Sequence, residues 1–176
     1  MSIACVAACG LVATAHANLV VNGGFETGDF SGWTVSTAPV GSNLNVYPGQ
    51  AFDGNFAASF AANGGLYDGI SQSLATTAGL EYEITFWVNN LGIENDSLLV
   101  DWEGATILNL TPLGTGLESW EQITLTVLAT QNGSSFGIRG FDAQLGIGLD
   151  AISVVAVPAP GTALLLVGAV GRRRRR

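Results

Sequence analysis

Lysine is absent from this sequence, histidine occurs once (His16) and cysteine twice (Cys5, Cys9), and those three side chains all lie before position 18. From Asn18 onward a Ser-His-Asp triad, a thiol nucleophile, a Schiff-base lysine, a His-ligated zinc and a disulfide are therefore excluded. Basic charge is nearly missing too: five of the six arginines form the terminal run and the sixth is Arg139. Asn18 to Val157 thus sets one arginine against fourteen Asp and Glu, a net charge of −13. Such a surface has almost nothing to neutralise phosphate, so it repels nucleic acid and anionic lipid. It suits calcium, neutral glycans or a soluble life outside the cell. Paired-carboxylate glycoside hydrolysis is the catalytic option left. Fourteen acids offer many pairs by chance, so a non-enzyme is the expectation and a glycosidase the distant alternative.

The two ends read as addresses. Met1 to Ala17 has an apolar run from Ile3 to Ala13, then Ala15-His16-Ala17 as a small-x-small cleavage site, the pattern of a secretory signal helix. At the other end, Gly161 to Gly171 is an apolar segment of eleven residues. As a helix it would reach only ~16 Å, against roughly 30 Å of hydrocarbon core. Arg172, Arg173, Arg174, Arg175 and Arg176 follow it and would stay on the cytoplasmic side. The pattern predicts a transient inner-membrane anchor, with an ordinary short anchor as the alternative.

Between the ends, residues 18–157 make one domain of ordinary size. Leu80 to Asn89 alternates cleanly: Tyr82, Ile84, Phe86 and Val88 on one face, Glu81, Glu83, Thr85 and Trp87 on the other. Trp120 to Val127 alternates as well. Further strands are expected at 18–21, 33–36, 44–47, 56–60, 69–74, 97–102, 106–110, 135–140 and 148–155. Turn signals separate them at Asn22-Gly-Gly24, Asp53-Gly-Asn55, Asn63-Gly-Gly65, Glu103-Gly104 and Asn132-Gly133. No stretch has sustained helical periodicity. The expected fold is all-β, an antiparallel sandwich flanked by the signal helix and a short C-terminal hydrophobic helix.

Val157-Pro158-Ala159-Pro160, the Leu-rich segment and the arginine run resemble the PEP-CTERM sorting signal of Gram-negative bacteria that make extracellular polysaccharide. Ala159 stands where that family usually has glutamate. The resemblance implies that an exosortase recognises Pro158, Ala159 and Pro160 and releases the domain to the envelope or beyond. It divides the chain into a signal at 1–17, a domain at 18–157 and a sorting tail at 158–176. Five segments of the domain resemble galactose-binding-like jelly rolls, a class that includes many carbohydrate-binding modules. They are Asn18-Leu-Val-Val-Asn-Gly-Gly-Phe-Glu-Thr27 with Gly32-Trp33, Gly69 to Leu74, Tyr82 to Trp87, Trp120 to Leu125 and Leu149 to Val154. This implies a non-catalytic domain that associates with extracellular polysaccharide; a structural or adhesive matrix protein is the alternative.

In such jelly rolls the opening loop and the last strand meet at a structural calcium, and Glu26 and Asp150 hold the matching positions. Hard carboxylate oxygens are what calcium takes. The competing reading makes Glu26 a turn cap and Asp150 a hydrogen-bonded strand acid. For a sugar, an exposed aromatic platform beside amide groups is needed. By alternation Trp87 is the best platform, with Tyr47 and Asn89 as neighbours, although packing under a loop would serve Trp87 equally. Trp102 shares the parity of Leu98 and Val100 and is expected in the core; the resemblance implies the same for Trp33 and Trp120. Glu94, Asp96, Asp101 and Glu103 read as a solvated acidic edge, with a second calcium site as the minority alternative, and Arg139 as the partner of one local acid.

Overall fold

The structure, a computed structural model, describes residues 17–63, 65–90, 96–111, 119–142 and 146–158. Both expected terminal helices, the cleavage-site residue Ala15, Glu94, and the tail from Ala159 through Pro160 to Arg172–Arg176 lie outside the described residues.

Ten strands form an antiparallel two-sheet sandwich. In chain order they are β1 (Thr34–Ser36), β2 (Leu44–Pro48), β3 (Phe56–Phe60), β4 (Asp68–Leu74) and β5 (Glu81–Asn90). Then come β6 (Asp96–Trp102), β7 (Ala105–Leu110), β8 (Glu121–Leu128), β9 (Ser134–Asp142) and β10 (Ile147–Ala156). The first sheet runs β1-β4-β9-β6-β7 and the second β2-β3-β10-β5-β8. Neighbours within each sheet are therefore mostly distant in sequence, and the crossovers carry the chain back and forth between layers, as a jelly roll requires.

Period-two alternation decides which side chains enter the core. Ile70, Leu74, Leu98, Val100, Trp102, Phe136 and Ile138 point inward from the first sheet. They meet Phe60, Ile84, Phe86, Val88, Leu149, Ile152 and Val154 from the second. Full burial of each large apolar side chain contributes about 1.5–3 kcal/mol before the entropy of ordering the chain is subtracted. Gly140 lets the layers close at one point, because a Cβ there would stand 2.6 Å from Cβ and Cγ of Phe60.

The expected strand at 18–21 does not form. The segment still lies beside β10: the Leu19 N–H donates to the Val154 carbonyl at 2.9 Å, while the Asn18 Oδ1 accepts the Val154 N–H at 2.9 Å and its Nδ2 donates to the Ile152 carbonyl at 3.3 Å. β10 itself bulges between Asp150 and Ser153, where Ala151 adopts φ +50°. The following loop is tied by Asn22, whose Nδ2 reaches Thr27 Oγ1 at 2.8 Å and the Asp29 and Ser31 carbonyls at 3.0 Å. This loop caps the sandwich with Phe25, stacked on Trp33 at 6.1 Å. The other ten expected strands are present within a few residues of the expected ends.

Candidate functional site

Three places on the described surface gather polar or aromatic side chains. The first is a groove of ≈ 290 Å³ across the outer face of the first sheet, lined by Ser36, Gly69, Ser71, Asp101, Gly137 and Arg139 among others. Register creates it. Thr34 pairs with Ser71, Ser71 with Gly137 and Gly137 with Asp101, while Ser36 pairs with Gly69 and Gly69 with Arg139. A strip of Gly and Ser thus runs beside a raised charged pair. Arg139 forks onto Asp101, Nε to Oδ2 at 2.6 Å and an Nη to Oδ1 at 2.9 Å, and its guanidinium carbon lies 5.7 Å from the Tyr67 ring centroid. The Arg139 hydrogen bond holds the Asp101 carboxyl below its ordinary range, and Asp101 in turn raises the guanidinium. Such a groove offers fixed donors and acceptors to hydroxyl groups above a floor without side-chain bulk.

The second place is the outer face of the second sheet. Tyr47 and Asn89 do come together here, lining a recess of ≈ 30 Å³ with Gln50, Ala57, Ser59 and Gly148. That volume admits a water or a hydroxyl, not a ring. Trp87 lies beside it on the same face of β5, but a loop aromatic covers it. Phe52 stacks on Trp87 with centroids 3.7 Å apart and planes 12° from parallel, and Trp120 meets Phe52 edge-on at 6.3 Å. The exposed top of the stack is thus Phe52, 40% accessible, rather than Trp87. Sequence reasoning missed Phe52, although a bulky aromatic inside Gly49-Gln-Ala-Phe-Asp-Gly54 is itself a signal in a turn. Trp120 is not a core residue: it precedes β8 and packs on the outer face against Phe52, over Gly148, where a Cβ would stand 3.1 Å from its ring. Trp33 and Trp102 are buried as expected.

The third place brings Glu26 and Asp150 into one pocket, with Asp53, Gly54 and Ala151. Asp150 is fully buried. Its Oδ2 accepts the Phe52 and Asp53 N–H groups at 2.8 and 3.1 Å, and its Oδ1 accepts the Ala151 N–H at 2.6 Å. Glu26 Oε1 accepts the Asn55 and Phe56 N–H groups at 2.8 and 2.9 Å. Together the two acids pin both sides of the 49–55 loop. Burial pushes the Asp150 carboxyl up against the lowering effect of its N–H donors, and the charge of Glu26 adds to the rise. Glu26 is held below its ordinary range by the Phe56 and Asn55 N–H groups. The donors fit calcium chemically: both carboxylates keep free lone pairs, and a divalent cation would relieve their mutual repulsion. Calcium takes six to eight oxygens, so backbone carbonyls or water would have to complete the shell. Among the described residues no group of three or more His, Cys, Asp or Glu is arranged to hold a metal by itself.

The acids at 96–103 are not a solvated edge. Asp96 is buried, Asp101 is paired with Arg139, and Glu103 accepts from Ser134 Oγ at 2.7 Å and from Thr130. These acids hold strands and turns together.

No protein-family model matches the sequence, and no curated protein matches it. Solved structures do. TmCBM61, a carbohydrate-binding module solved in complex with β-1,4-galactotriose, aligns with a TM-score of 0.62 at 21% identity, over 80% of this chain and 99% of that one. The CBM22-1 xylan-binding domain from Paenibacillus barcinonensis Xyn10C aligns with a TM-score of 0.60 at 20% identity, over 84% and 99%. The likeness is one of fold. A third neighbour, the enzymatically active domain of bacteriophage CBA120 tailspike protein 4, has a TM-score of 0.60 at 15% identity, but the match spans only 21% of that chain.

Proposed function

We propose that the sandwich is a non-catalytic module that binds a neutral extracellular polysaccharide in the groove of the first sheet. The observation that carries this reading is the groove itself: ≈ 290 Å³ of open space over a Gly and Ser floor, walled by a locked Asp101–Arg139 pair. Fixed, charge-assisted donors and acceptors are what recognise sugar hydroxyls without prior ordering cost. Fold neighbours described as galactotriose-bound and xylan-binding support the same reading. The net charge of −13 over residues 18–157 disfavours acidic polymers and favours uncharged ones. Affinity electrophoresis through gels containing β-1,4-galactan, xylan or the producing cell's own polymer tests it. Retardation by at least one gel, weakened by Arg139→Gln and without release of reducing sugar, is expected; free migration through all of them refutes it.

Delivery is part of the same proposal. The segment ending Ala15-His16-Ala17 supports export, and Pro158-Ala159-Pro160 with the apolar run and Arg172–Arg176 supports sorting by an exosortase-type enzyme after transient inner-membrane anchoring. The working domain would then sit in the envelope or matrix without its basic tail. Intact mass of the protein from culture supernatant tests this: a C-terminus near Pro160 is expected, and a species retaining Arg176 overturns it. Calcium at the Glu26–Asp150 pocket completes the reading as a structural ion that keeps the 49–55 loop in place.

A further inference from the structure

We propose that the outer face of the second sheet is a second glycan contact, independent of the groove, so that one domain links two polysaccharide strands. The inference rests on the polysaccharide-binding reading above and adds a site and a valency to it.

Two exposed aromatics flank this face. Tyr47 on β2 is 43% accessible and Phe52 in the following loop 40%. Between them lie Ala57 and Ser59 on β3 and Gly148 on β10, the last covered by the Asn89 carboxamide oxygen and the edge of the Trp120 ring, with Asn89 itself on β5. Ser59 pairs with Gly148 and Gly148 with Asn89, so these positions form one row across the sheet. From β2 to β5 is three inter-strand steps, about 14 Å at ordinary spacing. A single ring does not bridge that distance; an oligosaccharide does. The recess midway admits a hydroxyl and presents Gln50, Ser59 and Asn89 to it. Phe52 is held for such a role: it is stacked on Trp87, and its N–H is bonded to the buried Asp150 carboxylate. A pre-ordered aromatic offers its C–H-stacking face at little entropic cost.

Charge selects the occupant. Arg139, the one basic residue before the terminal run, lies on the opposite sheet, so nothing cationic from Asn18 to Pro158 can serve a polyanion on this face. The occupant that fits is therefore a neutral pyranose polymer. The two faces point away from each other across a core about 10 Å thick, so one sugar unit cannot fill both. Two sites per domain convert modest single-site contacts into avidity and cross-linking.

Calorimetric titration of the full chain with a short β-1,4-galacto- or xylo-oligosaccharide, and light scattering with the matching polymer, test the inference. Two ligands per chain and polymer cross-linking are expected. Tyr47→Ala/Phe52→Ala should leave one ligand per chain and abolish cross-linking, with the groove site intact. Arg139→Gln should weaken the other site alone. A stoichiometry of one, lost in Arg139→Gln and unchanged in Tyr47→Ala/Phe52→Ala, overturns the second face and leaves the groove reading standing. A stoichiometry of one lost only in the aromatic variant overturns the groove and the two-site claim together. No binding by the wild type sinks both readings. Clustering of the chain without glycan, cured by the aromatic variant, would reassign the face to contacts between copies and overturn the proposal. Because the wild-type stoichiometry decides the main point, an aromatic variant that failed to fold would not protect it.

Discussion

Replacing Asp150 by alanine should unseat the 49–55 loop and lower stability by about 2 kcal/mol. Asp150 accepts three backbone N–H groups, two of them from that loop. Hydrogen bonds to a charged acceptor contribute about 1.5–3 kcal/mol each. Phe52 and Asp53 are exposed, so their freed N–H groups can turn to water, and roughly 1 kcal/mol each is the more realistic loss. Removing a carboxylate whose ionisation burial disfavours offsets part of that loss. A net loss near 2 kcal/mol corresponds to a fall in Tm of roughly 8 °C for a domain of this size. Urea unfolding gives the stability, and the indole proton shift of Trp87, which Phe52 stacks upon at 3.7 Å, reports the loop. Asp150→Asn keeps one acceptor oxygen and should lose less than about 1 kcal/mol. A loss below about 0.5 kcal/mol in the alanine variant, with the indole shift unchanged, would refute the claim that this carboxylate holds Phe52.

A double-mutant cycle between Asp101 and Arg139 should give a coupling of about 1 kcal/mol at pH 7, discounted for a pair that is part-exposed. The Asp101 carboxyl is lowered in the fold, so its contribution is complete above the unfolded value and disappears as pH falls through the folded one; coupling that persists unchanged in strong acid contradicts this. Gly140→Ala forces a methyl against Phe60 and should cost about 1–3 kcal/mol in urea unfolding, whereas Gly49→Ala, with open space at its Cβ, meets only its φ of +81° and should cost less. Calcium should raise Tm and EDTA reverse it, because the cation relieves the cost of burying the Asp150 carboxylate beside Glu26; an identical Tm in both solutions denies the site an ion.

The strands were legible because alternation maps directly onto a two-faced sheet. Tyr82-Glu-Ile-Thr-Phe-Trp-Val88 leaves little choice of orientation, and its inward set is buried as read. Composition reads 18–21 as a strand, but the Asn18 side chain makes part of the pairing with β10, using partners more than a hundred residues away that no local pattern shows. Glu26 and Asp150 could be paired from the sequence only through resemblance, since they lie 124 positions apart. Alternation placed Trp87 on the outer face correctly, yet it cannot see that the 49–55 loop folds back over it. The resemblance implies a core position for Trp120, yet it lies just outside β8 and packs on the outer face against Phe52. Local composition reads the acids at 96–103 as solvated because it is blind to partners such as Arg139 and Ser134, which arrive from β9.

Backbone amide shifts of the full chain, followed by NMR as a galacto- or xylo-oligosaccharide is added, test the central claim most directly. The account predicts saturable shifts at Gly69, Ser71, Gly137 and Arg139 on the first sheet. Shifts at none of these four, with a ligand that the protein retains in gels, would contradict it.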